Sequence, residues 1–320
     1  MTVTIIVATF NRAALLAECL ADLSRQRFEA GDEVIVVDNG STDDTPETID
    51  AASAGFSIPL RHLSEPAPGK SHALTKAIAA ATGDLVALTD DDVRVGAEWL
   101  SKIRDVMQDD SIALMGGPVL ARWETPAPDW LRDCSDGSSR LAAPLGLLNY
   151  GPARVTLGSR TVLGANLVIR RAVLARVGGF RTDLGKLRGS LLSGEDSDLC
   201  LRVERAGFRA VYDPAVPVHH WVPAERARFR YHMSWFFWSG ITHATLDGHP
   251  VARAMLGVPP YIFRRLVVST ARAAVATFAG TKREAIEQLV DVAFAMGYVR
   301  GRWRQLAPSS SLGAVTRRST

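Results

Sequence analysis

A chain of 320 residues with 47% hydrophobic and 22% charged content holds enough apolar material for one large α/β domain with an appendage, or for two smaller domains. Its three cysteines, Cys19, Cys134 and Cys200, stand far apart without a C-x-x-C pair, so they offer neither a disulfide framework nor a zinc site and fit a reducing compartment. Net charge is +3, yet residues 251–320 carry eleven Lys/Arg against three Asp/Glu, a local +8 that leaves residues 1–250 at −5.

The chain opens directly on the strand-like run Val3–Ala8, with no basic leader or cleavage signal, so secretion is not expected. No apolar run reaches membrane-spanning length, because Arg264, Arg265 and Arg272 interrupt the best candidate. The expectation is a cytoplasmic protein with no nucleic-acid partner. Its basic C-terminal segment is the part suited to peripheral contact with the inner face of a membrane.

Val3 to Thr9 reads as a buried parallel strand, followed by Phe10-Asn11-Arg12 and a helix whose apolar positions are Leu15, Leu16, Cys19, Leu20 and Leu23. Asn11 is the expected cap of that helix. A second strand, Glu33–Val37, ends at Asp38-Asn39-Gly40-Ser41, and Thr45 with Pro46 starts the next helix. A weaker strand near Leu60–Leu63 precedes a helix over about 71–81, and Leu85–Leu88 then runs into Thr89-Asp90-Asp91-Asp92. This β-α-β-α alternation predicts a parallel sheet with helices on both faces.

Such sheets bind ligands beyond the carboxyl ends of their strands, and three of the four strand ends here carry Thr9, Asp38 and the Asp90–Asp92 group. Three successive carboxylates repel one another unless a cation sits among them, and hard oxygen ligands of this kind suit Mg²⁺ or Mn²⁺. On those residues alone, a solvated acidic turn before the helix near Trp99 explains the sequence equally well. Two other motifs fail. Pro68-Gly69-Lys70-Ser71 echoes a P-loop but has Ser64 where that pattern needs glycine, and no G-x-G-x-x-G follows the first strand.

Residues 116–165, rich in Gly, Pro and Trp, read as a long functional loop. A strand-like run at 163–170 follows, then a short helix. Gly194-Glu195-Asp196-Ser197-Asp198 opens a helix with Leu199, Val203 and Ala206 on its apolar side and Gly207 at its close. After Tyr212-Asp213-Pro214 a short strand leads to His219-His220-Trp221.

Taken in order, Ala8–Arg12, Val37–Ser41, Thr89–Asp92, Gly164-Ala165-Asn166, Gly178-Gly179-Phe180, Gly194-Glu195-Asp196 and His220 with Val222-Pro223 closely resemble the family 2 inverting glycosyltransferases. These motifs span about three quarters of the chain. The resemblance implies a GT-A fold, a mostly parallel α/β sheet flanked by helices, over residues 1–240. Residues 1–115 would be its nucleotide-binding half and 116–240 its acceptor and catalytic half, followed by a helical segment over 241–320.

It also implies roles. Thr9 lies against the nucleotide base, Asp38 bonds the uracil or ribose, and Asp90 lies near the ribose. Asp91 and Asp92 face a diphosphate bridged by Mn²⁺ or Mg²⁺, with the direct ligand of the two left open. His220 completes the metal site, although the sequence does not decide between it and His219. Asn11, Arg12, Lys70 and Asn166 complete the nucleotide-sugar contacts. Asp196 is the general base, and Glu195 holds the acceptor.

The chain departs from the family in two places. Leu74-Thr75 stands where many members carry an Arg-x-Asn-like pair, so Lys70, His72 or Lys76 would supply donor contacts instead. Arg302-Trp303 resembles part of the Q-x-x-R-W motif of processive polymerases, but Val299 replaces the glutamine, which favours single transfers.

Amphipathic helices are expected through 262–294, as a cap on the catalytic domain or as a basic surface for an anionic membrane or lipid-diphosphate acceptor. His232, Trp235, Phe236, Phe237 and Trp238 are candidates for the acceptor entrance or for core, and the tail after Pro308 is expected to be disordered. The expected function is metal-dependent, inverting transfer from a UDP-sugar to a glycan, lipid-linked or small-molecule acceptor. The alternatives are a sugar-phosphate nucleotidylyltransferase and a non-catalytic nucleotide-sugar-binding protein.

Overall fold

The computed structural model describes residues 1–134, 136–185, 191, 193–247 and 255–306. The chain divides into two compact units, Met1–His232 and a second beginning at Met233, where the sequence reading drew the division at 240. The tail after Pro308 lies outside the described residues.

The first unit opens with β1 (Val3–Thr9), α1 (Ala13–Leu23), β2 (Glu33–Asp38), α2 (Thr45–Ser53), β3 (Leu60–Ser64), α3 (Lys70–Ala80) and β4 (Leu85–Asp90). The four strands lie side by side in the order β3-β2-β1-β4, all parallel. Asn11 does not cap α1. Arg12 holds that position, while Asn11 adopts φ +51°, a left-handed turn that asparagine tolerates, and its Oδ1 accepts from the Thr42 N–H at 2.7 Å. The exposed N–H of Ala13 turns to Asp43 at 3.2 Å. Asn39 holds the loop before α3, donating to the Glu65 and Ala67 carbonyls and accepting from the Gly69 N–H.

Past β4 come β5 (Val93–Val95), α4 (Trp99–Met107), β6 (Ile112–Gly116), β7 (Val119–Trp123), β8 (Val155–Thr156), β9 (Asn166–Arg170), α5 (Arg171–Val177), α6 (Glu195–Arg205), β10 (Arg209–Tyr212) and β11 (Val218–Val222). The main sheet continues β4-β9-β6-β10-β8, with β9 and β8 antiparallel to their neighbours. It is therefore a large, mostly parallel sheet. Alternate residues of each central strand feed two cores. Val3, Ile5 and Val7 meet Leu16, Leu20 and Ile103 from α1 and α4. Ile6, Ile35 and Val86 meet Ala73, Leu74 and Leu199 from α3 and α6. Burial on both faces is why β1 and β2 are nearly continuous apolar runs.

The stretch 116–165 is more structured than expected. It contains β7, β8 and two 3₁₀ turns, Asp129–Cys134 and Arg140–Leu145. Its strand β7 forms a second, three-stranded sheet in the order β5-β11-β7, pairing parallel to β11 while β5 pairs antiparallel.

From its residue 233 onward, α7 (Phe229–Leu246) belongs to the second unit, with α8 (Pro260–Ala279) and α9 (Lys282–Leu306). Glycine lets α7 and α9 touch by backbone, since a Cβ on Gly240 would stand 2.1 Å from the Phe294 carbonyl oxygen. His232 is fully buried, its Nε2 3.2 Å from the Leu141 carbonyl and its ring edge-on to Trp130, and burial pushes its pKa down to about 4. It packs the interior rather than an entrance.

Candidate active site

Strand register gathers the acids. Thr9 pairs with Asp38, and Ala8 with Asp90, so β2, β1 and β4 end together at one edge of the sheet. Asp38, Asp91 and Asp92 are all buried there, which requires positive partners. Lys70, at the start of α3, pairs with Asp90. Arg12 Nη1 lies 2.8 Å from both Asp91 Oδ1 and Asp92 Oδ2. Burial opposes ionisation of Asp90 and Asp92. Lys70 outweighs it at Asp90, and His220, Arg12 and Arg226 outweigh it at Asp92, which stays well below the usual carboxylate range.

His220 arrives through the small sheet. It pairs with Val93, directly after the acidic run, and the Trp221 N–H donates to the Asp92 carbonyl at 2.9 Å. His220 is buried and His219 exposed, as alternation along a strand demands. Gly146, at φ +72°, ends a 3₁₀ turn against the His220 ring, where a Cβ would stand 2.9 Å from Cε1. Ligand atoms of Asp90, Asp92 and His220 all lie within 4.8 Å of one another.

This set differs from the expected Asp91, Asp92 and His220. The carboxylate of Asp91 is held by Arg12 and by the Thr9 hydroxyl, which donates to its Oδ2 at 2.8 Å, and burial pushes its pKa up to about 6. Strand β4 ends at Asp90, and Asp91 and Asp92 lie in the turn beyond it, where both reach the same Arg12 nitrogen while Asp92 also faces His220. The Thr9 hydroxyl is thereby committed to Asp91, and only its register with Asp38 places it among the nucleotide-binding candidates.

The fit to a divalent cation rests on unpartnered atoms. Asp92 Oδ1 lies 3.3 Å from His220 Nε2 but makes no hydrogen bond, and His220 Nδ1 is likewise buried without one. Two carboxylates and an imidazole form a donor set that accommodates Mn²⁺ or Mg²⁺.

Asp38 keeps one oxygen on the Ser41 N–H at 2.9 Å, and Asn11 stands exposed beside Ser41 and Thr42. Asn166 is a correction. Its amide donates to the Val216 and Pro118 carbonyls at 2.7 and 3.2 Å, and its oxygen accepts from Trp99 Nε1 at 3.2 Å, so it holds the scaffold rather than a ligand.

Asp196 and Glu195 open α6, preceded by Gly194 at φ +108°. Asp196 Oδ2 accepts from the Gly164 N–H at 2.8 Å, while Oδ1 is buried without a partner, as is Glu195 Oε2. Burial and the neighbouring charge of Glu195 push Asp196 up to about 7, and the Lys70 ammonium opposes them. Lys70 feels Asp90, Asp196 and Glu195 together, which joins the acidic cluster electrostatically to α6. Sequence reasoning missed Arg226, a buried residue in the turn after β11 that no spacing rule marks.

This fold and site define a glycosyltransferase of the GT-A class. The family model for Glycosyl transferase family 2 matches residues 4–177, and the chain belongs to that family. It is 25% identical over 258 residues to a glucosyl-dolichyl phosphate glucuronosyltransferase of Haloferax volcanii, covering 77% of this chain and 78% of the relative. Among solved structures, the mannosyltransferase PcManGT of Pyrobaculum calidifontis, in complex with GDP-Man and Mn²⁺, shares the fold. Its TM-score is 0.65 at 21% identity over 95% of this chain and 87% of that one. A segment of S. aureus TarS in complex with UDP matches with TM-score 0.51 at 16% identity, over 95% and 92% of the two chains. Membership of the family sets aside the nucleotidylyltransferase alternative.

A Cβ on Gly164 would stand 2.7 Å from Asp196 Oδ1. Gly164→Ala is therefore expected to displace that carboxylate and lower kcat at least about 10-fold, since small misplacements of reacting groups are costly. Nucleotide affinity, measured by calorimetry, should stay within about twofold of wild type on the same argument.

Proposed function

We propose that this glycosyltransferase transfers a sugar from a nucleoside diphosphate sugar, with UDP the expected carrier, to an acceptor hydroxyl by a single inverting displacement. The observation that carries the reading is Asp196, a buried carboxylate with one oxygen fixed on Gly164 and the other without a partner. A carboxylate titrating near neutrality serves well as a general base. As the acceptor oxygen bonds to the anomeric carbon, its proton passes to Asp196 Oδ1. The bond from that carbon to the diphosphate breaks, and its electron pair leaves with the diphosphate. Glu195, beside the base with Oε2 unpaired, accepts a hydrogen bond from the acceptor and positions it.

Asp90, Asp92 and His220 would hold Mn²⁺ or Mg²⁺, which when bound supplies positive charge to the departing diphosphate and orients it. Lys70 and Arg12 hold the cluster's carboxylates ionised and in place. Asp38 offers an acceptor to a base N–H, in keeping with uracil.

A lipid-linked acceptor at an anionic membrane fits the second unit, and the name of the Haloferax relative points the same way. Among the described residues, ten of the twelve exposed large hydrophobic side chains lie between 255 and 306. Five are on α8, where Tyr261, Val267, Val268, Val275 and Phe278 share the outward side with the exposed Arg264 and Arg272. The opposite side, Ile262, Ser269 and Ala273, is buried. Apolar side chains among arginines on an outward helix face suit the interfacial zone of an anionic bilayer. No described helix is long and apolar enough to cross a membrane.

Four outcomes test this reading. Asp92→Asn is expected to abolish Mn²⁺-dependent binding of UDP in calorimetry, whereas Asp91→Asn should retain it and lose thermal stability. Equal binding by both variants, and by wild type in EDTA, would remove the metal site. Asp196→Asn should lower kcat by about 10²–10⁴-fold with donor affinity retained. The wild-type rate should rise tenfold per pH unit below about 7 and level above it, as the carboxyl loses its proton. Vesicles containing anionic lipid should sediment the wild-type protein at low salt, and Val275→Asp with Phe278→Asp should prevent it. Binding that is unchanged by that pair of substitutions would assign the contact to another surface.

A further inference from the structure

Among the described residues, Arg226 stands beside the acidic cluster, and the preceding mechanism gives it only a share in keeping Asp92 ionised. Its residue is 7% exposed, and its side chain 9%. The guanidinium stays protonated at any working pH and carries five N–H donors in a planar fork. Among the described residues its nearest carboxylate oxygen is Asp92 Oδ2, 4.0 Å away, beyond hydrogen-bond reach and already paired with Arg12 at 2.8 Å. A largely buried charge at the edge of ion-pair range is costly unless a further anion meets it.

The position is held rather than incidental. The Glu124 N–H donates to the Val222 carbonyl, and the Ala224 N–H to Glu124 Oε2 at 2.7 Å. The Arg226 N–H then closes a turn onto the Pro223 carbonyl at 2.9 Å. This turn leads directly from β11, which carries His220, into α7. Tyr231, in the first turn of α7, lies close enough to feel Arg226, Arg12 and Asp92 together. A planar fork of donors beside Asp92, a candidate metal ligand, has the chemistry to grip phosphate oxygens in pairs.

We infer that Arg226 binds the diphosphate of the donor and carries part of the negative charge that collects there as the sugar leaves. The inference rests on the proposed donor class, and the experiment separates the two. Binding of UDP, GDP, UMP and uridine is measured by calorimetry in Mn²⁺ for wild type, Arg226→Gln and Arg226→Lys. With the inference correct, Arg226→Gln loses about 10- to 100-fold in affinity for the nucleoside diphosphate. It loses less for UMP and leaves uridine within about twofold, and lysine, which keeps the charge but not the fork, recovers part of the loss. Wild-type affinity for the diphosphate in Arg226→Gln overturns the inference. So does an equal loss for UDP and uridine, which marks Arg226 as support for Asp92 alone. A wild-type protein that binds no nucleoside diphosphate more tightly than its nucleoside refutes the donor reading itself, and the role of Arg226 with it. Arg226→Lys, charged like the parent, controls for folding.

Discussion

Packing three consecutive carboxylates at the end of one strand, two of them buried, is the constraint that the rest of the catalytic unit answers. The sheet cannot avoid it, because β1, β2 and β4 are parallel and in register and their polar ends must meet at one edge. Cations are therefore drawn in from several directions. Arg12 comes from the turn after β1, Lys70 from the start of α3, and Arg226 from beyond β11. The anion cluster acts less like a stabilising contact than like a demand for charge, since buried ion pairs repay their desolvation only when well bonded. A site under that demand is already arranged for polyanionic ligands and their metal ions.

The same economy explains why neighbouring residues of one type do different work. Asp91 is held by Thr9 and Arg12, so it stiffens the turn at the strand end. Asp90 and Asp92 point together toward His220. At α6 the division is between two oxygens of one carboxylate, one fixed by the Gly164 amide and the other unbonded. On the proposed reading, fixing half of a base and leaving the other half to receive a proton orients it without lowering its basicity much.

Much of this was legible in the chain. The buried runs of β1, β2 and β4 are local signals, and so are their polar ends, so the sheet edge is legible in the sequence alone. The family order of motifs supplied His220 and Asp196, neither of which stands out by spacing alone. What stayed hidden depended on distant partners. The strand β7 sits among glycines and prolines and becomes a strand only by pairing with β11, about a hundred residues later. Asn166 carries an amide that suits a sugar or a backbone equally, and only the positions of Val216, Pro118 and Trp99 decide for the backbone. That Asp90 and Asp92, rather than Asp91, lie with His220 depends on the turn beyond β4 and on the pairing of β11 with β5.

The small sheet has a consequence for how this molecule can change. His220 reaches Asp92 because β11 pairs with β5 at one register, His220 opposite Val93. Sliding β11 by a single residue would turn His220 outward and bring His219 or Trp221 inward. Insertions in the loops between β7 and β11 are tolerated as long as they leave that pairing alone, because closing a longer loop costs little. A single-residue insertion or deletion inside β11 moves every side chain along it to the other face. Length can drift in the loops between β7 and β11, then, while the five residues of β11 keep a fixed count.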